Sequence, residues 1–404
     1  MCDNRWRKDF PILDTIIYGS PLVYLDNAAT SQIPERVIER IAAHYREEHG
    51  NIHRGIHYLS ERSTASVEEA RRIIAEFIGA ESPDTVVFTS GTTDSINLAA
   101  SGFASSVSAD DAIMVTELEH HSNYVPWQQL CKKTGAAFLV CPANDGELDL
   151  DMMESLLRSY HVCLVAVTQV SNLTGTRTPL SKIISLAHRY GTEVLVDGAQ
   201  GILHVGANVS AEDPDYYAFS GHKMLGPTGV GVLYGKKELL ERLEPVRYGG
   251  GMVDIVEEKE TTWGRLPHRL EAGTPNISGV IGLGEAVRYL LENGLNDMRV
   301  CERELLSYTI ERLSAIERVH ILGNPEKREA LVSFIVDGAH PYDLAALLDK
   351  KGIAVRSGHL CAQPALRSLN AQSAVRVSPA FYNTKSEIDR FCENLSMLIK
   401  MLAG

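Results

Sequence analysis

The sequence predicts an α/β protein in which helices cover a mainly parallel sheet, followed by a smaller α+β part. Three observations support this class. The chain has 404 residues, enough for an extensive core. Short apolar runs alternate with amphipathic helical patterns, and this alternation ends near Leu295. Strands buried on both faces have continuous apolar runs, so the alternation indicates a parallel sheet between two helical layers.

The predicted elements follow one another in a regular order. Apolar β-rich runs lie at 85–88, 112–115, 163–167 and 194–196, and helical patterns lie at 95–104, 125–133 and 180–190. After them we predict a long helix, two β-like segments and a last helix, at 295–313, 331–336, 374–377 and 385–402. We therefore expect a large domain at 20–294 and a small domain formed by 1–19 and 295–404.

Composition restricts the possible functions. The chain is 44% hydrophobic and 23% charged, with no uninterrupted apolar stretch long enough to cross a bilayer. A net charge of -13 argues against a nucleic-acid partner, because proteins that bind nucleic acids present basic surfaces. Its first residues lack the apolar core of a secretion signal, and its seven cysteines include no C-x-x-C pair. We expect a cytoplasmic protein without a structural metal or a membrane partner.

Polar side chains follow four of the predicted strands. These residues are Thr92, Thr93, His120, His121, Asn172, Asp197 and Gln200. Ligands of open α/β sheets bind beyond the carboxyl ends of the strands. The pattern therefore predicts a binding site at one edge of the sheet.

Lys223 and Asp197 have the spacing that a pyridoxal phosphate site requires. Asp197 ends an apolar run, and Lys223 follows 26 positions later in Ser220-Gly221-His222-Lys223. A lysine holds the aldehyde of this cofactor as a Schiff base, and a carboxylate pairs with its pyridinium nitrogen. The alternatives are a surface lysine and a solvated carboxylate. Burial at a strand end makes an unpaired Asp197 costly.

A phosphate cradle is predicted at Gly91-Thr92-Thr93, where a strand passes into a helix. An ordinary helix cap is the alternative, and the nearby Ser220 and His222 favour the cradle. Two other glycine-rich segments fail as phosphate motifs. The segment 229–237 lacks the P-loop spacing, and 249–251 does not open a βαβ unit.

Four further residues carry candidate chemistry. His120 is placed to stack on a planar ring and move protons, although spacing does not separate it from His121. Cys361 lies in a glycine-containing loop near cationic groups, which favour the nucleophilic thiolate. Arg356 and Arg376 follow β-like segments and suit a substrate carboxylate. The alternatives are a structural histidine, an inert cysteine and surface ion pairs.

Taken together, these motifs resemble the SufS-type, group II NifS-like cysteine desulfurases of the class V aminotransferase family. The resemblance covers nearly the whole chain. It is carried by 24–29, 53–57, 119–121, 196–200, 219–223, 271–276 and the Cys361 loop.

The resemblance implies a fold type I pyridoxal 5'-phosphate enzyme that forms a homodimer with active sites at the subunit interface. Lys223 matches the Schiff-base lysine, Asp197 the pyridinium partner, Gln200 the phenolic-oxygen contact and His120 the stacking histidine. The matched phosphate ligands are Thr92, Thr93, Ser220 and His222, with Thr274 from the other subunit. The matched substrate contacts are Asn172 and Arg376, with Arg356 nearby.

The implied reaction converts L-cysteine to L-alanine and leaves the sulfur on Cys361 as a persulfide. Arg356 and Cys361 lie five positions apart, which matches the short loop of group II. Such a loop implies a SufE- or SufU-like acceptor protein that serves iron-sulfur cluster assembly, and selenocysteine is a possible second substrate. Leu360, where many relatives have histidine, and Ser90, where some have arginine, depart from the pattern.

Three other hypotheses remain. The first is a different pyridoxal phosphate reaction, such as transamination, in which Cys361 plays no part. The second is a sulfur-assembly scaffold that has lost the cofactor. The third, a nicotinamide oxidoreductase, is disfavoured by the missing glycine fingerprint.

Overall fold

A computed structural model describes residues 4–402 of the chain. The residues of the predicted small domain at 1–3 and 403–404 lie outside the described part. The strands are β1 (Ile16–Ile17), β2 (Ser20–Pro21), β3 (Val23–Tyr24), β4 (Val86–Thr89), β5 (Ala112–Thr116), β6 (Ala137–Cys141), β7 (Ala143–Asn144), β8 (Glu147–Leu148), β9 (Val162–Thr168), β10 (Glu193–Asp197), β11 (Tyr216–Ser220), β12 (Gly231–Gly235), β13 (Val253–Val256), β14 (Thr261–Trp263), β15 (Val319–Ile321), β16 (Val332–Val336), β17 (Ile353–Ala354), β18 (Arg356–Gly358) and β19 (Ala374–Val377).

The helices are α1 (Glu35–Ala43), α2 (Tyr58–Ile78), α3 (Thr92–Gly102), α4 (Val125–Thr134), α5 (Leu150–Ser159), α6 (Leu180–Arg189), α7 (Gly201–His204), α8 (Val209–Glu212), α9 (Lys237–Arg242), α10 (Ile277–Glu292), α11 (Leu295–Ser314), α12 (Pro341–Asp349), α13 (Gln363–Ser368) and α14 (Lys385–Leu402). Local sequence explains several of their ends. The Asp149 side chain accepts a hydrogen bond from the Met152 amide and caps α5, and Gly79 ends α2 at a φ of 70°.

The largest sheet has seven strands in the order β4-β12-β11-β10-β9-β5-β6. Only β12 within this sheet runs antiparallel to its neighbours, β11 and β4. The predicted mainly parallel sheet is confirmed. The carboxyl ends of β4, β5, β9, β10 and β11 consequently lie along one edge.

Both faces of this sheet are covered. In β9, Val165 and Val167 pack into one apolar cluster, whereas Leu164 and Ala166 pack into a second. The other central strands divide their side chains in the same way, because successive residues of a strand point to opposite faces. This two-sided burial explains why the strands appear in the sequence as unbroken apolar runs.

A second sheet follows in the C-terminal third, with strand order β15-β16-β19-β18. Its described strand pairs are antiparallel. The N-terminal segment packs nearby, where the Trp6 and Phe10 rings lie 5.5 and 5.8 Å from the Phe381 ring. β3 and β17 pair in parallel and join the start of the chain to the segment that precedes β18.

Between residues 4 and 402, none of the helices combines the length and the apolar character that a bilayer crossing requires.

Candidate active site

A cavity of about 300 Å³ opens at the edge where β4, β5, β9, β10 and β11 end. Its lining includes Thr92, Thr93, His120, Asn172, Asp197, Gln200, Ser220, His222, Lys223, Arg356, Cys361 and Arg376. Residues from both halves of the chain thus meet at the edge of the sheet at which the sequence predicts a binding site.

Two neighbouring parallel strands, β10 and β11, position Asp197 and Lys223. Asp197 is the last residue of β10, and Lys223 ends the short 3-10 turn after β11. Asp197 is 4% exposed and accepts a hydrogen bond of 2.9 Å from the Ala199 amide. Burial raises the pKa of Asp197, while the Ala199 amide and the charge of Lys223 oppose that shift. The carboxylate therefore lies in a low-dielectric setting that favours a cationic partner.

Burial also governs the Lys223 amine. It lowers the pKa of Lys223 from 10.5 to about 8, although the negative charge of Asp197 acts in the opposite direction. A neutral amine is the nucleophile that captures an aldehyde, and this pKa leaves part of the Lys223 population neutral near physiological pH. The site therefore holds a reactive amine beside a buried carboxylate.

Four hydroxyl groups converge at the start of α3. The Ser220 hydroxyl accepts from the Thr92 amide at 2.7 Å and lies 2.7 Å from the Thr92 hydroxyl. The Thr93 hydroxyl lies 2.7 Å from that of Ser122. The backbones of Gly91 and Gly231 approach each other closely at this turn. A Cβ on Gly231 would lie only 2.4 Å from the Gly91 Cα. A helix N-terminus with several hydroxyl donors suits a phosphate group.

His120 faces the cavity as a neutral imidazole. Its Nδ1 accepts a hydrogen bond of 3.1 Å from the Ser122 amide, so the proton is assigned to Nε2. Burial, together with the charge of Lys223, lowers the pKa of His120 to about 3. The same two causes lower the pKa of His222 to about 4. Both rings are therefore neutral at physiological pH.

The neighbouring His121 turns towards the loop of Cys361. Its backbone N–H donates to the Cys361 carbonyl at 2.8 Å. Cys361 is exposed, and its side chain lies at the wall of the cavity that also holds Lys223. The structure thus separates the two histidines that spacing alone leaves equivalent.

Arg376 and Arg356 share one carboxylate. Arg356 Nη2 lies 2.9 Å from Asp26 Oδ2, and Arg376 Nη2 lies 3.6 Å from Asp26 Oδ1. Arg376 also donates to the Asn172 carbonyl at 2.9 Å. Arg376 is 4% exposed, and burial lowers its pKa to about 10, so a second anion would relieve its desolvation.

Thr274 differs from the other predicted site residues. It is exposed and lies in a separate cavity with Asn276 and Gly229. Its hydroxyl donates a long hydrogen bond of 3.4 Å to Asn51 Oδ1. Within this one chain it does not reach the cavity of Lys223.

Two polar residues of the site have no role that the sequence alone predicts. Asp26 belongs to a short motif that carries the resemblance, but no pattern assigns it a role before its contacts with both arginines are seen. Ser122 bonds both Thr93 and His120. Its position two residues after His120, at a strand end, is the only signal that points to it.

Comparisons with known proteins agree with this arrangement. The family model for aminotransferase class-V matches residues 23–391. A relative from Halalkalibacterium halodurans, named a probable cysteine desulfurase, is 46% identical over 96% of this chain and 96% of its own length. The chain therefore belongs to the class-V aminotransferase family.

Solved structures show the same fold. An apo cysteine desulfurase from Thermococcus onnurineus superposes with a TM-score of 0.94 at 39% identity, covering 99% of this chain and 98% of that one. The Escherichia coli cysteine desulfurase CsdA, described as an S-sulfonic acid form, gives a TM-score of 0.91 at 38% identity, with 98% of each chain covered. The predicted fold type I architecture is confirmed.

The family depends on pyridoxal 5'-phosphate, and the residues of the cavity fit this cofactor. Three buried polar atoms of the cavity residues have no hydrogen-bond partner within residues 4–402, namely Gln200 Oε1, Asn172 Oδ1 and Arg376 Nε. Such atoms are costly unless a ligand satisfies them. Lys223 and Asp197 would hold the ring, with His120 and Gln200 beside it. Thr92, Thr93, Ser220 and His222 would hold the phosphate.

Proposed function

We propose that the protein is a cysteine desulfurase that converts L-cysteine to L-alanine and transfers the sulfur to Cys361. The observation that carries the proposal is the exposed Cys361, which lines the same cavity as Lys223 and Arg376. A negative charge on Cys361 opposes the lowering of the pKa of Lys223 and of Arg376 by burial. Relatives named cysteine desulfurases that match over nearly the full chain support this assignment.

The substrate carboxylate would bind Arg376 and Asn172. In the described part of the chain, nothing bonds the buried Nε of Arg376, and Asn172 beside it is 5% exposed. A planar guanidinium binds a carboxylate through two hydrogen bonds, and a water-poor site strengthens them. Arg356, which is more exposed, would contribute a second positive charge at the mouth of the cavity.

Proton transfer at the substrate α-carbon falls to Lys223. Bound pyridoxal phosphate supplies an electron sink for the charge that develops at this carbon. The Lys223 amine, with a pKa of about 8, is suited to accept and return the proton near neutral pH. His120, held neutral by its burial, does not add a competing positive charge to the site.

Cys361 would carry out the sulfur transfer. Its thiolate attacks the substrate sulfur, a sulfur–sulfur bond forms and the substrate carbon–sulfur bond breaks. The electron pair of the broken bond stays with the three-carbon fragment, which takes up protons and leaves as alanine. The two sulfur atoms become a persulfide, and the carbon that loses sulfur is reduced, so no external oxidant is needed.

The persulfide would pass to an acceptor protein. Cys361 lies only three residues beyond the end of β18, so its loop is too short to carry the sulfur far from the cavity. An acceptor of the SufE or SufU kind would therefore have to approach the exposed thiol. We propose that the sulfur serves iron-sulfur cluster assembly in the cytoplasm and that L-selenocysteine is a second substrate.

We further propose a homodimer in which Thr274 of each subunit completes the phosphate site of the other. Its exposure, and its distance from the cavity of its own chain, support this arrangement. The two separate sheets support the division into a domain at 20–294 and a small domain at 1–19 and 295–404. The small domain would supply Cys361 and both arginines.

The test is to incubate the purified holoenzyme with L-cysteine and a thiol reductant, and to measure alanine and sulfide. We expect equal amounts of both products from the wild type and none above background from Cys361→Ser. Cys163→Ser is the matched control. Cys163 lies in β9, burial raises its pKa to about 12, and serine preserves its hydrogen bond to the Ala112 carbonyl.

The two variants separate the competing hypotheses. An amino or keto product that survives Cys361→Ser would assign the protein to a different pyridoxal phosphate reaction. A purified protein that neither absorbs at visible wavelengths nor takes up added cofactor would favour the scaffold hypothesis.

A further inference from the structure

The backbone around Cys361 adopts an unusual conformation. Leu360 and Cys361 have φ angles of 53° and 52°, in the left-handed region that residues with a Cβ rarely occupy. Two such residues in succession persist only where surrounding contacts fix them. The position of the thiol therefore depends on what holds this loop.

Hydrogen bonds from two other segments hold the loop. The Asn172 side-chain amide donates to the Leu360 carbonyl at 2.6 Å. His121 makes two contacts, because its backbone N–H donates to the Cys361 carbonyl at 2.8 Å and its Nε2 accepts from the Gln363 amide at 3.2 Å. His121 thus binds the two peptide groups on either side of Ala362, the residue that follows Cys361.

Apolar packing joins the same segments. Leu360 is 8% exposed and lies in a cluster with Leu118 and Leu173. Leu118 precedes His120 by two residues, and Leu173 follows Asn172. Leu360 therefore supports the loop through the burial of its apolar side chain.

We propose that His121 is a positioning residue for the nucleophile, in which the imidazole fixes the Cys361 loop while the adjacent His120 faces the cofactor. One short segment after β5 would then set the geometry of the cofactor ring and of the thiol together. This inference rests on the proposed desulfurase function, since it gives Cys361 the role of sulfur acceptor.

The protonation state of His121 agrees with this role. Nε2 accepts a hydrogen bond only while it carries no proton. Burial lowers the pKa of His121, and the nearby charges of His359 and Arg367 act in the same direction. The ring therefore keeps its acceptor at neutral pH.

The test uses the holoenzyme and three variants. His121→Phe keeps a planar ring but removes the acceptor, whereas His121→Gln offers a carbonyl oxygen in its place. His121→Leu serves as a second variant without an acceptor if the Phe variant does not fold. His320→Phe is the control, because His320 is an exposed imidazole on β15 that pairs with Asp337. In each variant we would measure amide hydrogen exchange at Gln363, the visible absorbance of bound cofactor, kcat and KM.

For His121→Phe we expect exchange at Gln363 to accelerate about threefold to tenfold, as for a lost hydrogen bond. The kcat for alanine formation should fall by about tenfold or more, because small displacements of a reacting group are costly. Cofactor absorbance and KM should stay near wild type, and His121→Gln should recover most of the kcat.

Several results would overturn the inference. One is unchanged exchange at Gln363, and another is faster exchange with unchanged kcat. A third is a loss of cofactor in parallel with activity, which would place His121 on the cofactor side. If Cys361→Ser remains active, the desulfurase proposal fails instead, whereas the exchange measurement still reports whether His121 holds the loop.

Discussion

The Asp26 carboxylate lies 2.9 Å from the Arg356 guanidinium, joining the first part of the chain to its C-terminal third. Asp26 also lies 3.6 Å from Arg376. It is 13% exposed, and burial raises its pKa while both arginines lower it. The carboxylate therefore orients the two cations that we assign to the substrate carboxylate.

This relationship predicts the effect of Asp26→Asn. Without the charge, both guanidinium groups lose the partner that orients them for the substrate. Because a hydrogen bond to a charged group contributes about 1.5–3 kcal/mol, KM for L-cysteine should rise by about tenfold or more. Steady-state kinetics would measure it, with Asp337→Asn as a surface control. An unchanged KM would exclude Asp26 from substrate binding.

A second prediction concerns cofactor capture by protein stripped of pyridoxal phosphate. Only the neutral Lys223 amine attacks an aldehyde, so the rate of capture should increase with pH. Its midpoint should lie at about 8 rather than near 10.5, because burial lowers the pKa of Lys223. Stopped-flow absorbance after cofactor addition would give this profile.

The Arg376→Met variant tests the direction in which the midpoint of this pH profile moves. Arg376 is one of the groups that lower the pKa of Lys223, so its removal should move the midpoint to higher pH. A midpoint that stays in place, or moves to lower pH, would show that the charge of Arg376 does not reach the amine.

A third prediction concerns the subunit interface. If Thr274 completes the phosphate site of the partner subunit, the Thr274→Val homodimer should bind cofactor more weakly than wild type. The Lys223→Ala homodimer should be inactive. A heterodimer of the two, isolated with two affinity tags, contains one site with both wild-type residues. That site should bind cofactor and turn over like wild type. Continued weak binding in the heterodimer would show that Thr274 acts within its own chain.

Much of the fold is predictable because its physics leaves a local signal. The runs that became β5, β9 and β10 are apolar at each successive position, since both faces of those strands are buried. Asp197 is likewise predictable as a candidate, because it directly follows the run at 194–196, and Lys223 is predictable from its place 26 positions later, after Ser220, Gly221 and His222. Their neighbouring strands then bring them together.

Other parts of the site depend on contacts between distant segments. Asp26 follows β3, a strand of only two residues, and meets Arg356 across most of the chain. The choice between His120 and His121 depends on where the Cys361 loop lies, which no local periodicity records. Sequence patterns specify each element, whereas its neighbours are set by the packing of the whole chain.

The central claim is that Cys361 receives the sulfur of L-cysteine. The most direct measurement is peptide mass spectrometry of the holoenzyme after brief exposure to L-cysteine without reductant, with alanine quantified in the same sample. We predict that the peptide containing Cys361 gains the mass of one sulfur atom and that one alanine forms for each modified thiol. Alanine without added sulfur on Cys361, or sulfur on another cysteine instead, would contradict this account.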